Sequence, residues 1–213
     1  KQLAQRLGIA PAHLYYGPVG GESPIRYLHE AAQRIARGEC SVAAVCGAEA
    51  QSTATKAQRA GVELPWTPFA HDVEEPKRGA AFQKPMAVTL GVFRPITITT
   101  ATPDNRMIAW PYTKLMVANP TVNMGGALIL TSLAKARAAG VPEHKLIYPL
   151  GGASAEEPRD YLTRDQFVES HAQTAVLKAV MDLVGGDGKK FDAIELYSCF
   201  PCVPKMARRT LGL

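Results

Sequence analysis

Apolar and polar positions along the chain change period twice between Ser23 and Ala50. Ile25, Leu28, Ala32 and Ile35 recur at spacings of three and four, while Arg26, Glu30, Arg34 and Arg37 fall on the more polar surface. That pattern predicts an amphipathic helix. Ser23 offers a side-chain oxygen for capping, Pro24 loses nothing by lacking an N–H in the first turn, and Gly38 closes the segment. The run Val42 to Cys46 is continuously apolar and ends at Gly47, the pattern of a strand inside a covered sheet. Helix followed by inner strand is the expected unit.

The same reading continues on both sides. A short helix over residues 1–7 is closed by Gly8, and His13 to Tyr16 reads as a short strand feeding the glycine turn Gly17 to Gly21. From Gln51 to Gly91 periodicity fades. Pro65, Pro68, Pro76 and Pro85 alternate with Trp66, Phe69, Phe82 and Phe93, which predicts a loop-rich excursion carrying an exposed apolar edge. Further on, Ala127 to Thr131 reads as a buried strand and Leu133 to Ala139 as a helix stopped by Gly140. Lys145 to Leu150 reads as a strand, Gln166 to Val184 as an amphipathic helix, Phe191 to Tyr197 as a strand, and Pro204 to Leu211 as a helical run. Helix, glycine break and strand occur in both Pro24–Cys46 and Gln166–Tyr197, a hint of internal duplication. Alternating elements of this kind predict an α/β fold.

Composition narrows the class without fixing an activity. At 213 residues and 46% apolar content the chain can enclose a sizeable core. No stretch approaches the roughly 20 apolar residues that span a bilayer, and the N-terminus carries no signal-peptide pattern, so a cytoplasmic location is expected. The net charge of +5 is spread among acids, with only Lys77-Arg78, Lys189-Lys190 and Arg208-Arg209 standing out. No nucleic-acid surface is expected from that distribution, though it offers mild attraction for a phosphate-bearing ligand. The chain starts on Lys1 and ends on Leu-Gly-Leu, and is expected to be part of something longer.

Two corners carry candidate chemistry. Gly20 and Gly21 lead into the Ser23 helix, where backbone N–H groups and the helix dipole favour an anion or a nucleophile; a plain flexible turn is the alternative. Glu195-Leu-Tyr-Ser-Cys-Phe-Pro-Cys202 sits where a strand is expected to hand over to a helix, a place where side chains enter a crevice. Tyr197 can donate to a developing oxyanion, or act as acid or base if its pKa falls from about 10. Cys199 and Cys202 have a C-x-x-C spacing, but a zinc site lacks its second pair, and the better reading is core packing plus a substrate-facing Cys199. With Cys40 and Cys46 they are expected to be reduced, buried thiols and not a disulfide framework. No metal is expected. His29 reads as a structural hydrogen bonder, while His71, His144 and His171 form no cluster.

The residues Leu28, Ala31, Ala32, Ile35 and Gly38, followed by Gly47-Ala-Glu-Ala-Gln-Ser52, resemble the thiolase superfamily, in particular its lipid-transfer and sterol-carrier-like branch, often labelled acetyl-CoA acetyltransferase. The run from Trp110 to Ser132 resembles the thiolase pattern W-P-x-T-x-L-x-x-x-N-P-x-V-x-x-G-A-A-L-L-L-T-S. The resemblance implies a layered sandwich of two similar α/β halves, here truncated. A first half would cover residues 1–64, a loop excursion 65–107 with residues missing near 96–102, and a second half 108–213. It also places the nucleophilic cysteine position at Gly21, which cannot carry an acyl group. Tyr197-Ser-Cys-Phe200 stands where thiolases have N-E-A-F or H-D-C-F, and the family's catalytic histidine and second cysteine fall beyond the chain. What this implies is an acyltransferase-like protein acting on or binding acyl-CoA, with Tyr197 and Cys199 as catalytic candidates and Gly20, Gly21 and Ser23 as substrate-binding ones. The coenzyme A thioester would be substrate, with no covalently bound cofactor. The alternatives are a retro-aldol lyase on 3-hydroxyacyl-CoA using Tyr197 as acid or base, with a small partner protein, and a non-catalytic subunit. A homodimer or dimer of dimers is implied.

Overall fold

The computed structural model describes residues 2–15, 17, 20–66, 95–119, 121–158 and 160–213. Pro68 to Phe93, with His71 and most of the expected apolar excursion, lies outside the described residues, as does Tyr16.

The organising unit is a helix laid on an antiparallel strand pair. Helix α1 spans Gln2–Arg6 and α2 spans Ser23–Ala36; β1 runs Val42–Ala50 and α3 follows at Gln51–Ala60. After them come α4 (Pro95–Thr99), the hairpin strands β2 (Met107–Ala109) and β3 (Tyr112–Thr113), β4 (Asn123–Thr131), α5 (Leu133–Ala138), α6 (His171–Asp182) and α7 (Cys202–Leu211). Strands β1 and β4 pair antiparallel in unbroken register from Val42 opposite Thr131 to Ala50 opposite Asn123. α2 packs on both strands, α6 packs on α7, and α4 packs against β3 and the short helical turn Lys114–Met116.

β1 runs through Gly47 instead of stopping there. Gly47 faces Gly126 across the ladder and Ala48 faces Gly125, so small residues on both strands continue the pairing where either glycine alone reads as a break. The strand is not the covered one expected: its residues are exposed or half-buried, and Leu128 and Ile129 of β4 are exposed.

Other differences have local causes. Ser23 is the first helical residue, not the cap; Glu22 holds the cap position and its side chain accepts no capping bond. α3 escaped the hydrophobic pattern because QSTATKAQRA has no apolar stripe. Its start is held from β4 instead: Ser52 N–H donates to Val122 O (3.1 Å), and Asn123 accepts from Thr53 N–H (3.1 Å) and donates to Thr53 Oγ1 (2.7 Å). α6 begins at His171, not Gln166, because the Gln166 side chain winds residues 166–169 into a turn, accepting from Val168 and Glu169 N–H and donating to Glu169 O. Ser170 then caps the helix by accepting from Gln173 N–H at 3.0 Å. His13–Tyr15, Lys145–Leu150 and Phe191–Tyr197 are not strands in the structure. Each is an apolar run without a ladder partner among the described residues, and apolarity without pairing does not make a strand.

Packing is concentrated in two places. Met181 of α6 and Ala207 and Leu211 of α7 are buried on two helices that pack on each other, and Ala118 and Ala136 are buried as well. Apart from Ala118, the buried groups of residues 97–118 are polar: Asn105 and Thr113 are almost inaccessible. Among the described residues no helix is long and apolar enough to cross a membrane.

Candidate functional site

Tyr27 pins the lead-in to α2. Its hydroxyl lies so close to Gly17 that a Cβ there would sit 2.2 Å away, and its ring meets Tyr15 edge-on at 5.6 Å. A side chain at position 17 would therefore have to displace the Tyr27 ring. Burial pushes the Tyr27 phenol above its usual range, partly offset by a hydrogen bond with Ser23. Ser23 itself is buried, and its N–H donates to Gly20 O at 3.2 Å. The Glu22 carboxylate folds over Gly20: a Cβ on Gly20 would lie 2.5 Å from it.

The second corner arrives at the same place. Pro201 holds the cap position of α7, and the chain before it bends at Ser198, whose Oγ donates to Phe200 O at 2.6 Å. The structure brings Tyr197 against Gly21. A Cβ on Gly21 would lie 2.9 Å from Tyr197 Cε1 and 3.4 Å from its hydroxyl oxygen. The phenol thus fills the space into which a side chain at position 21 would extend. Two residues 176 positions apart, both singled out by sequence, lie side by side.

Cys199 joins them: its Sγ is 4.0 Å from the Tyr197 hydroxyl, within reach of a weak sulfur hydrogen bond. Tyr197 as a residue is 53% exposed. Burial of its other side, then the neighbouring Cys199, holds its pKa above the ordinary tyrosine value. The upward direction favours the protonated phenol, a hydrogen-bond donor, over the general-base role that a lowered pKa would support.

Residues 112–118 form the far wall. Ala118 N–H donates to Cys199 O at 3.3 Å, and the Tyr112 ring packs 5.7 Å from Phe200. The Tyr112 hydroxyl also contacts the Cys202 thiol, the first cause of its raised pKa, ahead of burial. Sequence reasoning missed Tyr112, although it sits inside the Trp110-Pro-Tyr-Thr113 run that carried the resemblance. All four cysteines are free, but the expected burial in the core does not hold: Cys199 and Cys40 are half-buried, while Cys46 and Cys202, on a strand without a covered face and at a helix start, are exposed. Among the described residues no group of three or more His, Cys, Asp or Glu could hold a metal.

His29 bonds to Gln33 at 2.9 Å on α2, the structural role expected of it. His171 starts α6 and pairs with Asp165 at 3.1 Å. A cavity of about 220 Å³ is lined by residues between 157 and 171, where Arg164 pairs with Glu157 and His171 with Asp165.

No family model and no curated protein matches the chain in sequence. In three dimensions it is similar to the crystal structure of a monomeric SCP2-thiolase like protein type 1 (STLP1) from Mycobacterium smegmatis, with a TM-score of 0.70 and 26% identity over 99% of this chain. The chain spans half of that protein's length. It therefore has an SCP2-thiolase-like α/β fold.

Proposed function

We propose that the chain handles acyl-CoA thioesters at the Gly20–Gly21 and Tyr197–Cys199 corner, through the Tyr197 phenol and without an acyl-cysteine intermediate. The observation that carries this reading is the Tyr197 ring lying where a side chain at position 21 would extend. A thiolase-like fold places its reacting atoms at that helix start. Here the start supplies backbone and space, and the hydroxyl comes from the opposite corner. A neutral phenol beside a thioester oxygen stabilises the enolate or oxyanion that develops there.

A second reading uses the same donor in carbon–carbon cleavage. In a retro-aldol step on a 3-hydroxyacyl-CoA, the 3-hydroxyl loses its proton to a base, the C2–C3 bond breaks, and the electron pair moves onto the thioester as an enolate. Tyr197 would donate to that enolate oxygen. The raised pKa of Tyr197 favours this donor role, and the missing nucleophile favours a reaction that needs none. A small partner protein would belong to this reading.

The test is turnover of acetoacetyl-CoA and of a 3-hydroxyacyl-CoA by the full-length protein, alongside binding of coenzyme A thioesters. Thiolysis of acetoacetyl-CoA with an acyl-enzyme intermediate would overturn the reading; aldehyde or ketone release from the 3-hydroxyacyl thioester would select the second form. Self-association is a separate matter. The sequence expectation of a homodimer is set against likeness to a protein that is monomeric, and sedimentation at micromolar concentration decides between them.

A further inference from the structure

We infer that Asn105 is a positioning residue of this site, holding the 112–118 segment that grips the Tyr197–Cys202 corner from its far side. The inference rests on that corner being the site.

Asn105 is 3% exposed and every polar atom of its side chain is engaged. Its Nδ2 lies 2.9 to 3.0 Å from the carbonyls of Thr97 and Ile98 in the last turn of α4 and of Thr100 just beyond it, where carbonyls lack helical partners. Its Oδ1 accepts from Leu115 N–H at 2.9 Å. One amide therefore joins the end of α4 to the turn Lys114–Met116. Thr113, wholly buried, adds a second tie by donating its Oγ1 proton to Ile98 O. Lys114 N–H donates to Arg106 O, closing the hub.

The hub sits between the two points at which this segment touches the corner. Before it, Tyr112 packs on Phe200 and contacts Cys202; after it, Ala118 donates to Cys199 O. Fixing residues 113 and 115 fixes both grips at once. The chemistry also requires asparagine at this position. A carboxylate in its place keeps the acceptor for Leu115 but sets negative charge against three carbonyl oxygens in a buried setting, so the α4 side must open.

The experiment is alkylation of the full chain with N-ethylmaleimide, with the rate at each cysteine resolved by peptide mass spectrometry. Asn105→Asp is expected to raise the Cys199 rate about tenfold while Cys40, also half-buried but outside the hub's reach, stays within about twofold. Thr113→Val, which removes only the second tie, is expected to raise Cys199 by less, and Thr113→Ser to return it to the parent rate. An unchanged Cys199 rate in both Asn105→Asp and Thr113→Val overturns the inference. So does a parallel rise at Cys40 in both, which signals general loosening. The outcome is separable from the reading of the site: if Asn105→Asp frees Cys199 while Tyr197→Phe leaves turnover intact, the positioning role stands and the proposed reaction falls.

Discussion

Two helix starts meet at the site and contribute opposite things. α2 arrives through Gly20-Gly21 with Pro24 in its first turn; α7 arrives through Phe200-Pro201 with Cys202 as its first residue. Neither has a side-chain cap. By contrast, α5 and α6 are capped by Ser132 and Ser170. The first start brings backbone and empty space; the second brings the phenol and the thiols. The comparison teaches that the shape of such a junction belongs to the pair of corners: a glycine on one leaves a volume that a side chain from the other fills.

The largest expected effect tests the occupied side. Tyr197→Phe keeps the ring and deletes the hydroxyl. If that hydroxyl donates to the oxygen on which charge develops, turnover falls by about 10²- to 10³-fold with the unfolding midpoint unchanged. If the hydroxyl only satisfies local structure, the rate survives and stability drops by about 1 kcal/mol. Measuring both in one mutant separates them.

Filling the empty side is expected to cost less. Gly21 lacks the left-handed backbone that would forbid a side chain, so Gly21→Cys is accommodated by the main chain, but its Cβ meets the Tyr197 ring at under 3 Å. The half-exposed ring yields by moving outward. A displaced donor lowers turnover by about ten- to a hundredfold, and the new thiol does not bring thiolysis because the opposite corner stays altered. Acetoacetyl-CoA thiolysis by this single mutant would break the comparison.

How much of this was legible in the sequence differs between the corners. The α2 stripe and its Gly38 stop were readable because period and punctuation agree, and the Tyr197–Cys199 cluster stood out by chemistry. Their meeting depended on the thiolase resemblance, since no local rule joins residues 21 and 197. Tyr112 and Asn105 were overlooked for different reasons. Tyr112 reads as one aromatic in an aromatic run, and its contacts with Phe200 and Cys202 are set by tertiary packing. Asn105, in Thr-Pro-Asp-Asn-Arg, carries the composition of an exposed turn, and only the folded chain shows it buried among carbonyls. The three apolar runs read as strands show the reverse error: hydrophobic content was visible, but hydrogen-bond partners were not.

Alkaline pH sharpens the comparison further. The folded-state pKa of Tyr197 is raised above its unfolded value near 10. Its contribution to stability is therefore complete below about pH 10 and is lost as pH rises through the higher folded value. The donor persists over the same range, so the rate is expected to hold to above pH 10 before falling. Tyr197→Phe should erase that limb from its residual activity. A limb centred below pH 9 in the parent protein would assign the titration to another group.

The smallest effect is expected at a capped helix away from the junction. Ser170 accepts from Gln173 N–H at 3.0 Å, and replacing it by alanine leaves that amide to water. Ser170→Ala should cost about 1 kcal/mol, seen as a lower urea midpoint with an unchanged slope. The rate below that midpoint is expected to stay at the parent value. α6 does touch the site helix, through Gln173 Nε2 to Val203 O at 3.4 Å and the Thr174–Thr210 hydroxyl pair, but both contacts arise from within its helical turns and do not use the cap. A rate loss matching that of Gly21→Cys would mean that the junction is held by α6 as a whole. In that case the difference between capped and uncapped starts would carry no functional weight.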